Sequence, residues 1–148
     1  MRKIEYIFID SDRQTPDGKP CRHALPNFGY HYVVNSQALV INPTHVSIPV
    51  NLIKGPIYEP DKYNKCSICI RYCGSIRPEA WLIDPNASCR TVMPQREALI
   101  KLLVQLRNHF PDAKILGVTE LDGRELYSKN IIVSDAMNVL RRELSDYD

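Results

Sequence analysis

Four carboxylates lie where the chain could bring them close together. Asp10 comes directly after the apolar run Ile7–Ile9, and Asp12 follows two residues later. Glu120 comes just after a second predicted strand, with Asp122 close behind it. The residue just past a central strand of an α/β protein often faces the crevice, so Asp10 and Glu120 are candidates for acid–base chemistry or for holding a divalent cation. Hydrated loop carboxylates are the alternative that we favour for the set as a whole.

The segment Cys66–Cys73 carries three cysteines in the pattern Cys-x-x-Cys-x-x-x-Cys. A Cys-x-x-Cys spacing is typical of zinc and redox sites. This segment also alternates as a β-strand, however, and a period of two places Cys66 on the face opposite Cys69 and Cys73. We therefore expect packing cysteines, with a metal site or a disulfide as weaker alternatives. The odd total of five cysteines also argues against a disulfide framework.

Two further groups contain residues of chemical interest. Cys21 and His23 lie in a predicted loop, with no further metal ligand at a useful spacing. His31 lies between two tyrosines in an apolar strand, and we expect it to be a core histidine with satisfied hydrogen bonds. Tyr30 follows a glycine and is better placed to point into a cleft. The sequence contains no nucleophile elbow, phosphate loop or His-Glu-x-x-His motif, so it provides little evidence for an ordinary enzyme.

The elements that must position these residues follow from hydrophobic periodicity and turn signals. The predicted helices cover 95–110, with Pro94 in the first turn, and about 135–145, with Ser134 and Asp135 as the cap. The predicted strands are Lys3–Asp10, Gly29–Asn35, Ala38–Ile41, Val46–Ile53 at an edge, Cys66–Cys73 and Lys114–Gly117. We expect an α/β protein with a single domain over 1–148, in which helices pack against a central mixed β-sheet of about five strands.

Composition narrows the possible classes of protein. The chain has 148 residues, of which 44% are apolar and 24% charged, as in ordinary globular proteins. The net charge of +2 is spread along the chain, so we expect no nucleic-acid partner. No apolar run reaches the length of about 20 residues that spans a bilayer, and we expect no membrane partner. The charged first residues lack the pattern of a signal peptide, which predicts a cytoplasmic location as synthesised.

Several segments, in order, resemble one enzyme family. The segments are Arg2–Ile9, Gly29–Val34, Asn64–Gly74 and Pro94–Gly117. They are similar to the zinc-dependent N-acetylmuramoyl-L-alanine amidases, a family shared with phage lysozymes of amidase specificity and peptidoglycan recognition proteins. The similarity covers most of the chain, and it implies an amidase-like fold with a cleft that accepts peptidoglycan.

The sequence departs from this family at the positions of the zinc ligands. The resemblance places these ligands at Asp10, at Val118, and at Ser128 or Lys129. A catalytic zinc site needs about three protein ligands, and valine offers none. Only the tyrosine that assists catalysis carries over, onto Tyr30. The resemblance therefore implies a degenerate member that has lost its zinc, and we expect no cofactor.

The leading hypothesis is a catalytically inactive, amidase-like protein that binds a muropeptide or another peptidoglycan-derived ligand in the former active-site cleft. One alternative is a non-enzymatic accessory protein, of a phage or mobile element, that binds a host protein or a small molecule. Another is an active peptidoglycan amidase with a rebuilt site. The oligomeric state stays open. The expected ligand-binding residues are Asp10, Tyr30, Asn64, Ser67, Thr119 and Glu120.

Overall fold

The structure is a computed structural model that describes residues 2–11, 29–35, 37–52, 60–72, 92–118 and 131–147. Within these residues the chain forms five strands and three helices. The strands are β1 (Tyr6–Ser11), β2 (Tyr32–Val34), β3 (Val40–Ile41), β4 (Ser67–Tyr72) and β5 (Lys114–Gly117). The helices are α1 (Pro60–Asn64), α2 (Val92–His109) and α3 (Ile131–Ser145).

The five strands form one mixed sheet in the order β3-β2-β4-β1-β5. β1 runs parallel to both of its neighbours, β4 and β5, and β2 runs parallel to β4. β3 lies at one edge and pairs antiparallel with β2, as the hairpin signal predicted. The α/β class and the mixed sheet of five strands are therefore confirmed. The carboxyl ends of the four parallel strands lie at the same edge of the sheet.

The central strand β1 is apolar on both faces because both faces are covered. Ile7 and Ile9 are buried in a cluster that includes residues of α2 and α3, which we call the helix-side cluster. Phe8 is buried on the opposite face with Val33 and Cys69, in what we call the second cluster. Side chains alternate along a strand, so the next residue on the face of Phe8 is Asp10.

Helix α2 packs one face against the sheet, with Leu99 and Leu103 fully buried. These positions follow the helical period that the sequence predicted. Pro94 lies in the first turn, where its missing N–H has no helical partner to lose. The helix ends at His109, two residues before Pro111. Among the described residues, no helix combines the length and apolar character needed to cross a membrane.

Helix α3 begins at Ile131, earlier than predicted, and buries Met137, Leu140 and Leu144. The predicted cap is wrong, because Ser134 lies inside the helix rather than before it. Most helical stability in a protein comes from packing of an apolar face, and here that packing outweighs a local capping signal.

The edge strand predicted at Val46–Ile53 is wrong for residues 46–52, which form a turn followed by chain without regular secondary structure, and Ile53 lies outside the described residues. The carbonyl of Val46 accepts a hydrogen bond from the Arg2 guanidinium at 2.6 Å. The carbonyl of Ile48 accepts one from a ring nitrogen of His31 at 2.6 Å. Side chains thus take the backbone acceptors that a neighbouring strand would otherwise use.

Helix α1 was not predicted, because a helix of five residues is too short to show a hydrophobic period. It brings Tyr63 onto the second-cluster face of the sheet. The Tyr63 ring lies 5.5 Å from the ring of Tyr6 and 6.1 Å from that of Phe8, between centroids. These tilted and edge-on contacts are favourable for aromatic rings.

Candidate functional site

A tyrosine and a carboxylate meet at the carboxyl edge of the parallel strands. The hydroxyl of Tyr30 donates a hydrogen bond to Oδ2 of Asp10 at 2.6 Å. Tyr30 is fully buried just before β2, whereas Asp10 is half-buried near the end of β1. The two residues are 20 positions apart in the sequence. They meet because β2 and β1 both pair with β4, which lies between them in the sheet. It lies where ligands bind in open α/β sheets.

Two more side chains lie next to this pair. Arg71 on β4 is the register partner of Asp10 on β1, so the two residues point to the same face on strands about 4.8 Å apart. Val118 follows Gly117, the register partner of Ile9, and packs against the second cluster. The carboxyl edge therefore combines a carboxylate, a guanidinium group, a phenol and an apolar side chain.

These residues do not fit the zinc site of the enzyme family that the segments resemble. Asp10 supplies carboxylate oxygens, one of which accepts the Tyr30 hydrogen bond, and Val118 supplies no donor atom. The third position, Ser128 or Lys129, lies outside the described residues. Within the described part of the chain, no three His, Cys, Asp or Glu residues are grouped so that they could hold a metal ion. The positions that are described thus supply one ligand, where a catalytic zinc needs about three.

Asn64 and Ser67, which were expected in the same site, lie at the other end of the strands. Ser67 is the register partner of Tyr6, four positions before Arg71 on β4, which corresponds to about 13 Å along the strand. Both residues are buried, and their carbonyls accept hydrogen bonds from Arg2 at 3.3 and 3.0 Å. The structure therefore does not bring them together with Asp10. The remaining expected residues, Thr119 and Glu120, lie outside the described part of the chain, as do Asp12, Asp122, Cys21 and His23.

The Arg2 guanidinium lies close to a buried histidine. His31 accepts a hydrogen bond from the Cys69 backbone N–H on Nδ1 at 2.9 Å. Its Nε2 therefore carries the proton and donates to the Ile48 carbonyl at 2.6 Å. Arg2 lies 3.3 Å from the same nitrogen. Burial, and to a lesser degree the charges of Arg2 and His45, lower the pKa of His31. His31 is thus a core histidine, as predicted.

The described cysteines are free thiols. Cys69 is fully buried, and burial raises its pKa to about 12. Cys66 is half-buried and directs its Sγ to the Lys62 carbonyl at 2.9 Å. A thiol with a raised pKa is a poor nucleophile and a poor metal ligand. These two cysteines therefore pack, as expected, and Cys73 lies outside the described residues.

Comparison with known proteins does not assign the site. The sequence matches none of the models that describe known protein families, and no curated protein is significantly similar to it. The geometry of the site and the resemblance of individual segments are therefore the basis for proposing its function. The Arg2–His31 contact was missed from the sequence because an arginine near the N-terminus and a histidine in a strand have no spacing that links them.

Proposed function

We propose that the protein is a catalytically inactive, amidase-like protein that binds a muropeptide or a related peptidoglycan fragment at the carboxyl edge of its sheet. The observation that carries this proposal is the 2.6 Å hydrogen bond between Tyr30 and Asp10. The resemblance assigns these two residues to one cleft, although they are 20 positions apart. Their contact at the carboxyl edge of the sheet supports the proposal.

Loss of zinc chemistry follows from the residues at the ligand positions. Hydrolysis by the family mechanism needs a metal that polarises the amide and activates a water molecule. A valine at position 118 cannot take part in such a site. Binding can persist without it, because the polar groups that hold a peptide do not depend on the metal. We therefore assign recognition, and no zinc-dependent cleavage, to this edge.

The charges at the edge suit a peptide ligand. The Asp10 carboxylate accepts hydrogen bonds from amide N–H or ammonium groups, and the Arg71 guanidinium donates to carboxylates. A peptidoglycan stem peptide carries all of these groups. Tyr30 holds the Asp10 carboxylate in one orientation, so the acceptor is preorganised before the ligand arrives.

Isothermal titration calorimetry with a muramyl tripeptide tests this proposal. We expect measurable binding by the purified protein, and a loss of at least about tenfold in affinity for Asp10→Asn, because the neutral amide cannot make the charge-assisted hydrogen bond to the ligand that is worth about 1.5–3 kcal/mol. Tyr30→Phe leaves the Asp10 carboxylate without the partner that orients it, and we expect a smaller loss of affinity. Asp112→Asn is the matched control, because it removes an exposed carboxylate from a turn far along the chain, and we expect it to bind like the unchanged protein.

Two results would contradict the proposal. One is the absence of heat at millimolar peptide from protein that is folded by circular dichroism, which would favour the accessory-protein alternative. The other is a stoichiometric metal in the purified protein whose removal abolishes lysis in a cell-wall turbidity assay. That outcome would show an active amidase with a rebuilt site.

A further inference from the structure

Exposed hydrophobic side chains are concentrated on strand β3 and on Leu39, the residue before it. Among the described residues, five large hydrophobic side chains are exposed, and three of them are consecutive here. Leu39 is 57% exposed, Val40 43% and Ile41 41%. Consecutive residues of a strand point to opposite faces, so this edge is apolar on both sides. A surface of this kind differs from the single exposed side chains that occur on any protein.

The hydrogen bonds of the hairpin show which backbone groups face outward. The N–H of Asn35 donates to the carbonyl of Leu39 at 3.0 Å, and Val34 pairs with Val40 in the next position. In an antiparallel ladder, hydrogen-bonded and non-hydrogen-bonded pairs alternate. Leu39 and Ile41 thus bond to β2, whereas the N–H and carbonyl of Val40 point away from the sheet. No described residue makes a hydrogen bond to these two groups of Val40.

At the opposite edge of the sheet, strand β5 is covered by a side chain of α3, whereas β3 is not covered by any described residue. The N–H of Lys114 donates to the carbonyl of Glu5, so the alternate residue Ile115 directs its carbonyl away from β1. That outward carbonyl accepts a hydrogen bond from Arg141 of α3 at 3.0 Å. Proteins commonly cover or charge their edge strands in this way to prevent pairing. Among the described residues, no side chain covers β3 in this way and the strand carries no charge, although its length of two residues and the nearby Pro43 limit how far a partner strand can pair.

The charge pattern indicates which partner fits this edge. The segment from Asn35 to Thr44 contains no charged residue, in a chain of which 24% is charged. Antiparallel pairing of a strand with its own copy places the residue on the twofold axis opposite its counterpart, and a charged residue there would repel its own copy. A partner that binds through opposite charges would have no charged residue to pair with in this segment. Pro43 has no N–H and limits the pairing segment to about Ala38–Asn42.

We propose that two copies of this chain pair through β3, antiparallel about a twofold axis close to Val40, and join their sheets. The outward N–H and carbonyl of each Val40 bond to those of its counterpart, and Leu39 and Ile41 cover one another across the junction. A pairing segment of about five residues buries less than the roughly 1,600 Å² of a standard interface, so the dimer is weak and depends on concentration.

Sedimentation equilibrium across a range of concentrations tests this dimer. For the unchanged chain, we expect the weight-average mass to rise from 17.0 kDa towards twice that value as the concentration increases. Val40→Lys and Val40→Glu each place like charges across the axis, so each variant alone stays monomeric. An equimolar mixture of the two places opposite charges across the axis, and we expect the mixture to dimerise.

Tyr147→Lys is the matched control, because it places the same charge on another exposed hydrophobic position, 60% exposed beyond α3. We expect this variant to dimerise like the unchanged chain, and circular dichroism to show that all variants are folded. A monomeric mass for the unchanged chain at every concentration up to the millimolar range would overturn the proposal. So would a mixture of the two Val40 variants that stays monomeric while both are folded.

Discussion

The buried histidine predicts a loss of stability in mild acid. His31 is neutral in the folded protein, because Nδ1 accepts from the Cys69 N–H and a second proton would break that bond. Its pKa is lowered by burial, and further by Arg2 and His45. In the unfolded chain the pKa of histidine is about 6.5. Below that pH the unfolded state binds a proton that the folded state does not. The contribution of neutral His31 to the free energy of unfolding is therefore complete above about pH 6.5 and falls as the pH decreases.

The size of this effect follows from proton linkage. The free energy of unfolding falls by up to about 1.4 kcal/mol for each pH unit below 6.5, until the pH reaches the lowered pKa of His31 in the folded state. The substitution His31→Gln removes this proton uptake. We expect the variant to be about 2–3 kcal/mol less stable at pH 7, because it loses two buried hydrogen bonds. Its stability should then fall less steeply between pH 7 and pH 5.

Urea unfolding at several pH values, followed by circular dichroism, measures the two slopes. His109→Gln is the control, because His109 is exposed at the end of α2 and we expect this variant to keep the full slope. Equal slopes for the unchanged protein and His31→Gln would refute the reasoning. So would a His31 ring that titrates at or above pH 6.5 in the folded protein by NMR, a measurement that does not depend on the variant.

Two further substitutions test local features. Ala38 has a φ of 64° in the hairpin, so Ala38→Gly should raise the free energy of unfolding by about 1 kcal/mol, whereas Ala98→Gly in α2 should lower it by a similar amount. Urea unfolding measures both, and a lower stability for Ala38→Gly would contradict the argument. The Tyr72 hydroxyl is buried without a hydrogen-bond partner among the described residues, and burial raises its pKa to about 12. Tyr72→Phe should therefore keep or raise stability, by up to about 1 kcal/mol, and a loss above that value would show an unrecognised partner.

Local signals predicted most of the secondary structure that is described. The run Ile7–Ile9 indicated a strand covered on both faces, and the structure buries it in two clusters. The predicted strand Lys114–Gly117 has the same bounds in the structure. The predictions failed where tertiary contacts compete with local preference. Residues 46–52 are β-prone, yet Arg2 and His31 take carbonyls there that a strand would use.

The candidate site was predictable only in part. Tyr30 and Asp10 were both named from the sequence, and the structure brings them together. Asn64 and Ser67 were named as well, but they lie at the amino end of β4. The end of a strand that a residue occupies depends on where the strand begins and on the register of its neighbours. Neither can be read from the residue types alone.

The sequence by itself predicted the five strands of the sheet, although it also predicted a sixth that does not form at residues 46–52, and it predicted the main helix. It also fixed the chemistry available at each position, because periodicity and residue type are local properties. The sequence also shows that position 118 holds valine, whose side chain cannot bind a metal ion in any fold. Only the tertiary structure shows that the Tyr30 hydroxyl donates to Asp10, that the Arg2 guanidinium contacts His31, and that β3 lies at an edge of the sheet. These contacts join residues far apart in the chain, and only the pairing order and register of the strands bring such residues together.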